Sequence, residues 1–228
     1  DGESWRSLDP RWQIDSIAAL AVFDDGSGPT LYAAGSAHFD GGTCGVFRYT
    51  GDAWEPAMPL GQRATGMTVF DDGNGPGLYV CNDRGFDFGE GPVGPVVRRT
   101  EDGWEEVGGT LWYGQDVGTL FYMMPVELDG RPMLAAQGWV ELGTQWDVHT
   151  QIILLDEGVW RPHIGYLPHH AWEIRSFETA SGLVTMINDW VGSDDADRID
   201  IYENGVWRRP PGDFTTFTSG SAPFELPV

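Results

Sequence analysis

The strongest constraint on the fold of this chain is a segment that occurs twice. Residues 22–32, VFDDGSGPTLY, recur 47 positions later at 69–79 as VFDDGNGPGLY. Each copy consists of an apolar run, a turn cluster rich in Asp, Gly and Pro, and a second apolar run. That order is typical of a β-hairpin, because Gly and Pro supply the backbone angles that a tight turn needs. The sequence therefore predicts two equivalent hairpins.

A second marker, a tryptophan that follows a polar turn, keeps a similar spacing. Successive copies are 47 to 56 positions apart, at Trp5, Trp54, Trp104, Trp160 and Trp207. We interpret each of them as the first large residue of an outer strand, with its ring packed between neighbouring sheets. Repeats of about 40–50 residues that contain several short strands are typical of β-propellers.

Together the two markers predict an all-β fold, a β-propeller of about five blades that forms one domain over residues 1–228. Four repeats are complete, and strands from the two termini are expected to combine into a composite blade that removes open sheet edges. The composite blade lacks one strand in this sequence, so the alternatives are a three-stranded blade and a chain that is a fragment of a longer one. The predicted units are 13–60, 61–109, 110–165, 166–212, and 1–12 with 213–228.

The first two repeats resemble a family of propeller-type repeats found in large secreted bacterial proteins, most of them uncharacterised. The resemblance is carried by residues 19–36 (ALAVFDDGSGPTLYAAGS), by the pair Gly41-Gly42 and by residues 47–54 (FRYTGDAW). Repeats three and four keep mainly the turn and the tryptophan. The resemblance implies a propeller fold and a secreted, extracellular or cell-surface location, and it implies no catalytic residue.

The charge balance argues against several classes of partner. The chain has 35 acidic residues and 13 basic ones, all of them arginine, which gives a net charge of −22. A field of this sign repels nucleic-acid backbones and anionic lipid, and no apolar run is long enough to insert into a membrane as a helix. A glycan or another extracellular protein fits better. The same acidity also serves solubility, and the oligomeric state is left open.

Three pairs of residues invite a chemical interpretation and also have a structural one. Cys44 and Cys81 either form a disulfide or are two buried free thiols. The aspartate pairs 24–25 and 71–72 offer oxygen ligands for calcium, but the turns lack the other ligating positions of a calcium loop. We expect these aspartates to cap their own turns instead.

A transition-metal site is the other candidate. His169-His170 with Asp194 or Asp195 could supply ligands, but adjacent histidines point in different directions in an extended chain, and spacing fixes no third ligand. We therefore predict no metal and no cofactor.

The predicted site lies on the loops that connect strand two to strand three within a blade, and strand four to the next blade. These loops are long and rich in aromatic residues, and loops on a rigid scaffold are where binding residues concentrate. Repeat three is the longest, and insertions into repeats usually lie in loops, often on the binding face. The expected ligand-binding residues are Trp112, Tyr113, Trp139, Trp146, Asp147, His170 and Trp190.

Exposed aromatic rings beside short polar side chains suit carbohydrate, because rings stack on sugar faces while polar groups bind hydroxyls. The sequence thus predicts a binding module, most simply a lectin-like propeller. The alternatives are a glycan-active hydrolase or lyase using acids on the same face, and a purely structural segment of a large surface protein. Acids are abundant and no pair is singled out, so the sequence favours binding and assigns no catalytic residue. The competing explanation for the rings is burial between blades.

Overall fold

All secondary structure that the structure describes is β-strand. The structure is a computed structural model, and it describes residues 12–39, 42–59, 61–89, 92–100, 102–113, 116–128, 130–140, 151–162, 170–179, 182–190, 197–203 and 206–208. The strands of this part of the chain form four antiparallel sheets of four strands and two small hairpins. None of these residues belongs to a helix long and apolar enough to cross a membrane.

Each four-stranded sheet takes its strands in chain order. Sheet one contains β1 (Gln13–Asp24), β2 (Pro29–Phe39), β3 (Gly42–Tyr49) and β4 (Trp54–Pro56). Sheet two contains β5 (Gly66–Asp71), β6 (Pro76–Cys81), β9 (Val96–Thr100) and β10 (Gly103–Glu106). A separate hairpin of β7 (Phe86–Asp87) and β8 (Pro92–Val93) is inserted in the chain between β6 and β9.

A second hairpin precedes sheet three. It consists of β11 (Trp112–Tyr113) and β12 (Asp116–Val117). Sheet three contains β13 (Thr119–Leu128), β14 (Arg131–Trp139), β15 (Gln151–Asp156) and β16 (Val159–Pro162). Sheet four contains β17 (His170–Thr179), β18 (Gly182–Trp190), β19 (Asp197–Glu203) and β20 (Val206–Arg208).

The predicted all-β class is confirmed, and each of the four complete repeats contains one four-stranded antiparallel sheet. The composite unit, 1–12 with 213–228, lies outside the described residues except for Trp12.

The repeated turns are fixed by their first aspartate. One carboxylate oxygen of Asp24 accepts hydrogen bonds from the backbone N–H groups of Gly26 and Gly28, each at 2.9 Å. Both glycines have left-handed backbone angles, with φ of 96° and 104°, which residues with a Cβ rarely adopt. Asp71 makes the same two contacts in the second copy, at 2.8 and 3.0 Å. The expectation that these aspartates cap their own turns is confirmed.

The second aspartate of each turn binds a tyrosine and an arginine from its own sheet. Asp25 accepts hydrogen bonds from the Tyr32 hydroxyl at 2.8 Å and from the Arg48 guanidinium at 3.3 Å. Tyr32 and Arg48 are themselves cross-strand partners between β2 and β3. Sheet two repeats the network with Asp72, Tyr79 and Arg98. The carboxylates of both turns are therefore engaged inside the fold.

These contacts make the stability of sheet one sensitive to acid. A hydrogen bond from the Ser27 hydroxyl and another from Tyr32 outweigh burial and lower the pKa of Asp25 from 3.8 to about 2. Because the pKa is lower in the folded state, the stabilisation is present above pH 4 and is lost as the pH falls towards 2. We expect the free energy of unfolding to drop by about 2 kcal/mol more in the wild type than in Asp25→Asn over that interval.

Urea denaturation at pH 4 and at pH 2 measures this difference, with Asp52→Asn as the control. Asp52 is an exposed aspartate in the turn between β3 and β4. Equal losses in the wild type and in Asp25→Asn would show that the network contributes nothing.

Neighbouring sheets pack face to face, and their first strands contact one another in succession. One apolar cluster joins sheets one and two, and includes Phe23, Leu78 and Val97. A second joins sheets two and three, and includes Phe70 and Leu134. The strand β1 contacts β5, β5 contacts β13, and β13 contacts β17. The sheets are thus arranged side by side around their first strands.

The repeated tryptophans link adjacent sheets by hydrogen bonds. The indole N–H of Trp104 donates to the carbonyl of Ala57 in sheet one, at 3.0 Å, and that of Trp160 donates to the carbonyl of Val107 in sheet two, at 2.9 Å. Trp54 and Trp160 are buried, and Trp104 is partly buried in the cluster between sheets one and two. The predicted packing between sheets is therefore confirmed for Trp104 and Trp160. Trp5 and the side chain of Trp207 lie outside the described residues.

A β-bulge recurs near the start of the first strand, with a glycine opposite it in two of the sheets. The register between β1 and β2 shifts after the pair Ile17 and Gly35, and that between β13 and β14 shifts after Leu120 and Gly138. A Cβ on Gly138 would lie 1.9 Å from the carbonyl oxygen of Thr119, and one on Gly35 would be equally obstructed by backbone. Both glycines are required by the close approach of two strands.

The two cysteines are buried free thiols, so the disulfide alternative is wrong. Cys44 lies in sheet one and Cys81 in sheet two. Burial raises the pKa of both thiols, that of Cys81 to about 12. Neither is reactive in the folded protein.

Candidate functional site

The candidate site lies at the edge of the sheets where first strands begin and second strands end, which we name the loop edge. In sheet three this edge is marked by the cross-strand pair Thr119 and Trp139, and in sheet four by the pair His170 and Trp190. The inserted hairpins β7–β8 and β11–β12 precede or follow strands at the same edge. Strand register therefore brings the backbones of three predicted site residues to one edge.

Two of the predicted rings are exposed to solvent. Trp112, in β11, is 50% exposed, and Trp139, the last residue of β14, is 43% exposed. Burial between sheets therefore does not explain these two residues. Trp146 and Asp147 lie outside the described residues, as do the side chains of Tyr113, His170 and Trp190.

Gly118 brings the segments that carry the two exposed tryptophans together. Its N–H donates to the carbonyl of Leu111 at 2.7 Å. On the other side, a Cβ added to Gly118 would lie 2.7 Å from a methyl carbon of Val140 and 3.2 Å from the carbonyl oxygen of Trp139. Only a residue without a side chain fits between these two segments.

Each exposed tryptophan is adjacent in the sequence to a buried residue. Leu111, next to Trp112, and Val140, next to Trp139, are both almost fully buried in the cluster that joins sheets two and three. The Trp139 ring also meets Phe121 edge to face, with ring centroids 5.2 Å apart. The backbone at both tryptophans is thus anchored, and the Trp139 ring, which Phe121 also contacts, loses little conformational freedom when a ligand stacks on it.

The hairpin β7–β8 lies beside β12 and is held by a side chain that the sequence did not single out. Gln62 donates to the carbonyl of Asp87 at 2.6 Å and accepts from its N–H at 3.1 Å. Phe86 is fully buried and stacks on Phe88, so its role is packing. A Cβ on Gly85 would lie 2.9 Å from Val117, which places the hairpin against β12.

The loop before this hairpin holds the start of β13. Asn82 donates to the carbonyl of Gly85 at 2.6 Å and accepts from the N–H of Arg84 at 3.0 Å. The backbone carbonyls of Asn82 and Asp83 accept hydrogen bonds from Leu120 N–H and from the Thr119 hydroxyl, at 3.1 and 3.0 Å. The backbone of residues 82–83 therefore lies next to the start of β13, the strand that pairs with Trp139.

A sequence signal predicts the role of Asn82 but not that of Gln62. The Asn82-Asp83 pair is an ordinary turn signal and could have been found. Gln62 gives no signal, because its partner lies 25 positions away.

The opposite edge has a groove of about 890 Å³ between sheets two and three. It lies between the β5–β6 turn and the two turns of sheet three, and the polar residues that line it include Asp71, Asn74, Arg131 and Asp156. Asp156 is already bound by Arg131 and Arg161, at 2.8 and 3.4 Å. The insertions of repeat three predict that the largest concave surface lies at the loop edge, and this stays a prediction.

The part of the chain that the structure describes shows no set of side chains that could bind a metal ion. Among those residues, no group of three or more His, Cys, Asp or Glu side chains is placed to hold an ion. His169, Asp194 and Asp195 lie outside them, as does the side chain of His170.

Comparison of the sequence with known protein families and with curated proteins finds no match. The resemblance of repeats one and two to propeller-type repeats therefore stays a prediction, and the function has to be argued from the site.

Proposed function

We propose that this chain is a secreted β-propeller of about five blades that acts as a lectin-like binding module and binds glycan at the loop edge. The architecture is supported by four consecutive meander sheets whose first strands contact one another in succession. It is also supported by the tryptophan links between successive sheets. Sheets of this kind, repeated radially, make a propeller.

The binding role rests on the two exposed tryptophans at one edge. Trp112 and Trp139 lie on segments that Gly118 holds together, and each ring is attached to a buried anchor. Large exposed rings on rigid supports mark interaction sites, and aromatic rings stack on the apolar faces of sugars. Asp83 and Arg84, beside Thr119, can bind hydroxyls. Since the chain carries a net charge of −22, neutral glycans are favoured over sulfated or uronic ones.

The two carboxyl groups whose pKa is clearly shifted give no support to hydrolysis. A glycosidase needs a general acid whose pKa is raised. Asp25 and Asp72, whose side chains the structure describes, have a clearly lowered pKa, and both lie at the opposite edge. Burial by itself raises the pKa of Asp72, but hydrogen bonds from Asn74 and Tyr79 and the charge of Arg98 lower it. The pKa of Asp25 is also lowered, so neither group suits the role of general acid.

We expect Trp112→Ala and Trp139→Ala each to weaken glycan binding by about tenfold or more, because each removes a stacking surface. A glycan array identifies a ligand, and titration calorimetry with that ligand measures the loss. Val159→Ala is the control, because Val159 is an equally exposed apolar residue on the outer strand β16. It should leave both affinity and stability unchanged.

Three outcomes would overturn this assignment. Reducing ends that accumulate with time would identify a glycan hydrolase, and unsaturated products would identify a lyase. An array without any binding would favour a structural segment of a larger surface protein.

A further inference from the structure

The groove between sheets two and three, at the edge opposite the loop edge, lies between turns of unequal length. In sheet two, the paired residues Asp71 and Pro76 leave four residues between β5 and β6. In sheet three, Leu128 and Arg131 pair and leave two residues between β13 and β14. The longer turn and the start of β14 form opposite walls of the groove. We attribute the space between the walls to this difference in length.

The walls of the groove are largely aliphatic. Both sheets contribute to the lining, which includes Val69 and Val107 of sheet two and Pro125, Pro132 and Met133 of sheet three. The two prolines are exposed, and the other three side chains are partly buried. Among the residues that line the groove, only Phe70 is aromatic, and it is buried. The groove therefore offers aliphatic surface and no exposed ring on which a sugar can stack.

Two carboxylates that line the groove have no cation beside them. The other two, Asp72 and Asp156, each form an ion pair with an arginine at 2.8 Å. Asp71 and Glu157 are exposed, and no arginine in the described part of the chain forms an ion pair with either. One oxygen of Asp71 accepts the two backbone hydrogen bonds of its turn, which leaves the second oxygen for a ligand.

Glu157 occupies a position that suits another residue type better. With Gly158 it forms the two-residue connection between β15 and β16, where asparagine or aspartate followed by glycine is preferred. Its φ of 50° is the one left-handed angle of a non-glycine residue in the described part of the chain. Asparagine adopts that region more readily than glutamate does. The stability of the turn therefore does not explain a glutamate at this position.

We propose that the groove binds a segment of a partner protein that carries arginine or lysine beside apolar side chains. The apolar side chains pack against the proline and valine walls, and the cationic groups pair with Asp71 and Glu157. A volume of about 890 Å³ is within the range of ligand sites. The net charge of −22 attracts a basic partner from a distance and repels an acidic one.

A second copy of the chain is a less suitable occupant. Two chains that each carry a net charge of −22 repel one another on approach. Charge complementarity therefore favours a partner of opposite charge over self-association.

An array of capped hexapeptides built from arginine, leucine, glutamine and glutamate tests the ligand class on the full chain. Peptides that combine arginine with leucine are expected to bind at least about tenfold tighter than the same peptides with glutamine in place of arginine. Replacing leucine with glutamine should also weaken binding, because the aliphatic walls then lose their contacts. The peptide that binds tightest is the probe for titration calorimetry.

The double variant Asp71→Asn/Glu157→Asn removes both unpaired charges and should weaken binding of the probe by about tenfold. The Asp71→Asn change keeps a carbonyl oxygen that can accept the hydrogen bonds of the turn. Glu157→Asn alone should raise the Tm by about 1–3 °C, because it relieves the backbone strain. The control is Asp52→Asn/Glu55→Gln, which removes two exposed charges from sheet one and should weaken binding by about twofold or less.

Equal weakening by the two double variants would show that the peptides respond only to the overall charge, and would overturn the inference. An array on which glutamine peptides bind as tightly as arginine peptides, or on which none binds, would do the same. A wild-type dimer that excludes the probe would identify a second copy as the occupant and would also overturn it. None of these results bears on the loop edge, so the glycan site is tested separately.

Discussion

Replacing Trp160 with alanine is expected to lower the free energy of unfolding by about 3–5 kcal/mol. The side chain is 4% exposed and fills the junction of sheets two and three. Its ring lies over Gly108, where an added Cβ would be 2.4 Å from a ring carbon. The substitution opens a cavity and also removes the hydrogen bond to the carbonyl of Val107. Equilibrium denaturation in urea measures the loss.

Trp112→Ala is the matched control, because it removes the same atoms from an exposed ring. We expect it to change the free energy of unfolding by about 0.5 kcal/mol or less. Trp160→Phe keeps most of the volume and removes the indole N–H, so it should cost about 1–2 kcal/mol. Similar losses for Trp112→Ala and Trp160→Ala would contradict the assignment of the repeated tryptophans as links between sheets.

We expect Gly138→Ala, in β14, to lower the free energy of unfolding by about 3–4 kcal/mol. The added Cβ would lie 1.9 Å from the carbonyl oxygen of Thr119 and 2.8 Å from the Cα of Leu120. Both obstacles are backbone atoms, so no rotamer change relieves the contact. The strands β13 and β14 would have to separate at the bulge, next to Trp139. Denaturation measures the cost, and glycan titration reports any displacement of Trp139.

Gly130→Ala serves as the control for this substitution. Gly130 precedes β14, and an added Cβ would meet nothing within 4 Å, but its φ of 72° is left-handed. We therefore expect a loss of about 1 kcal/mol from backbone strain alone. A loss at Gly138 no larger than that at Gly130 would show that the strands part easily at the bulge.

The fold could be predicted to the extent that its determinants are local. The repeated hairpins are fixed by aspartates that bind backbone amides two and four residues later, and these contacts are visible in the sequence. Repeat three differs from repeats one and two in the residues that bind the second aspartate of the turn. Counted from the outer tryptophan, Ala135 and Leu154 take the places of the Tyr and Arg that bind the second aspartate, and they belong to an apolar cluster instead. Only the strand register reveals that exchange.

The site was predictable in part for the same reason. Trp112 and Trp139 stood out because they lie in or beside the long aromatic loops of the longest repeat, and both are exposed. Gly118 and Gln62 did not stand out, since their roles depend on segments 20 or more positions away.

The meander order of the sheets has a consequence for how the chain folds. Each sheet is built from one continuous stretch, so most strand pairs close short loops at a small cost in conformational entropy. Sheets can then form independently and become cooperative through the tryptophan links to their neighbours, as in a one-dimensional array. In the proposed propeller, ring closure would join β1 to a strand from the other end of the chain, which is a contact of high sequence separation. We therefore infer that formation of the individual sheets is fast and that the meeting of the two ends is the slow step.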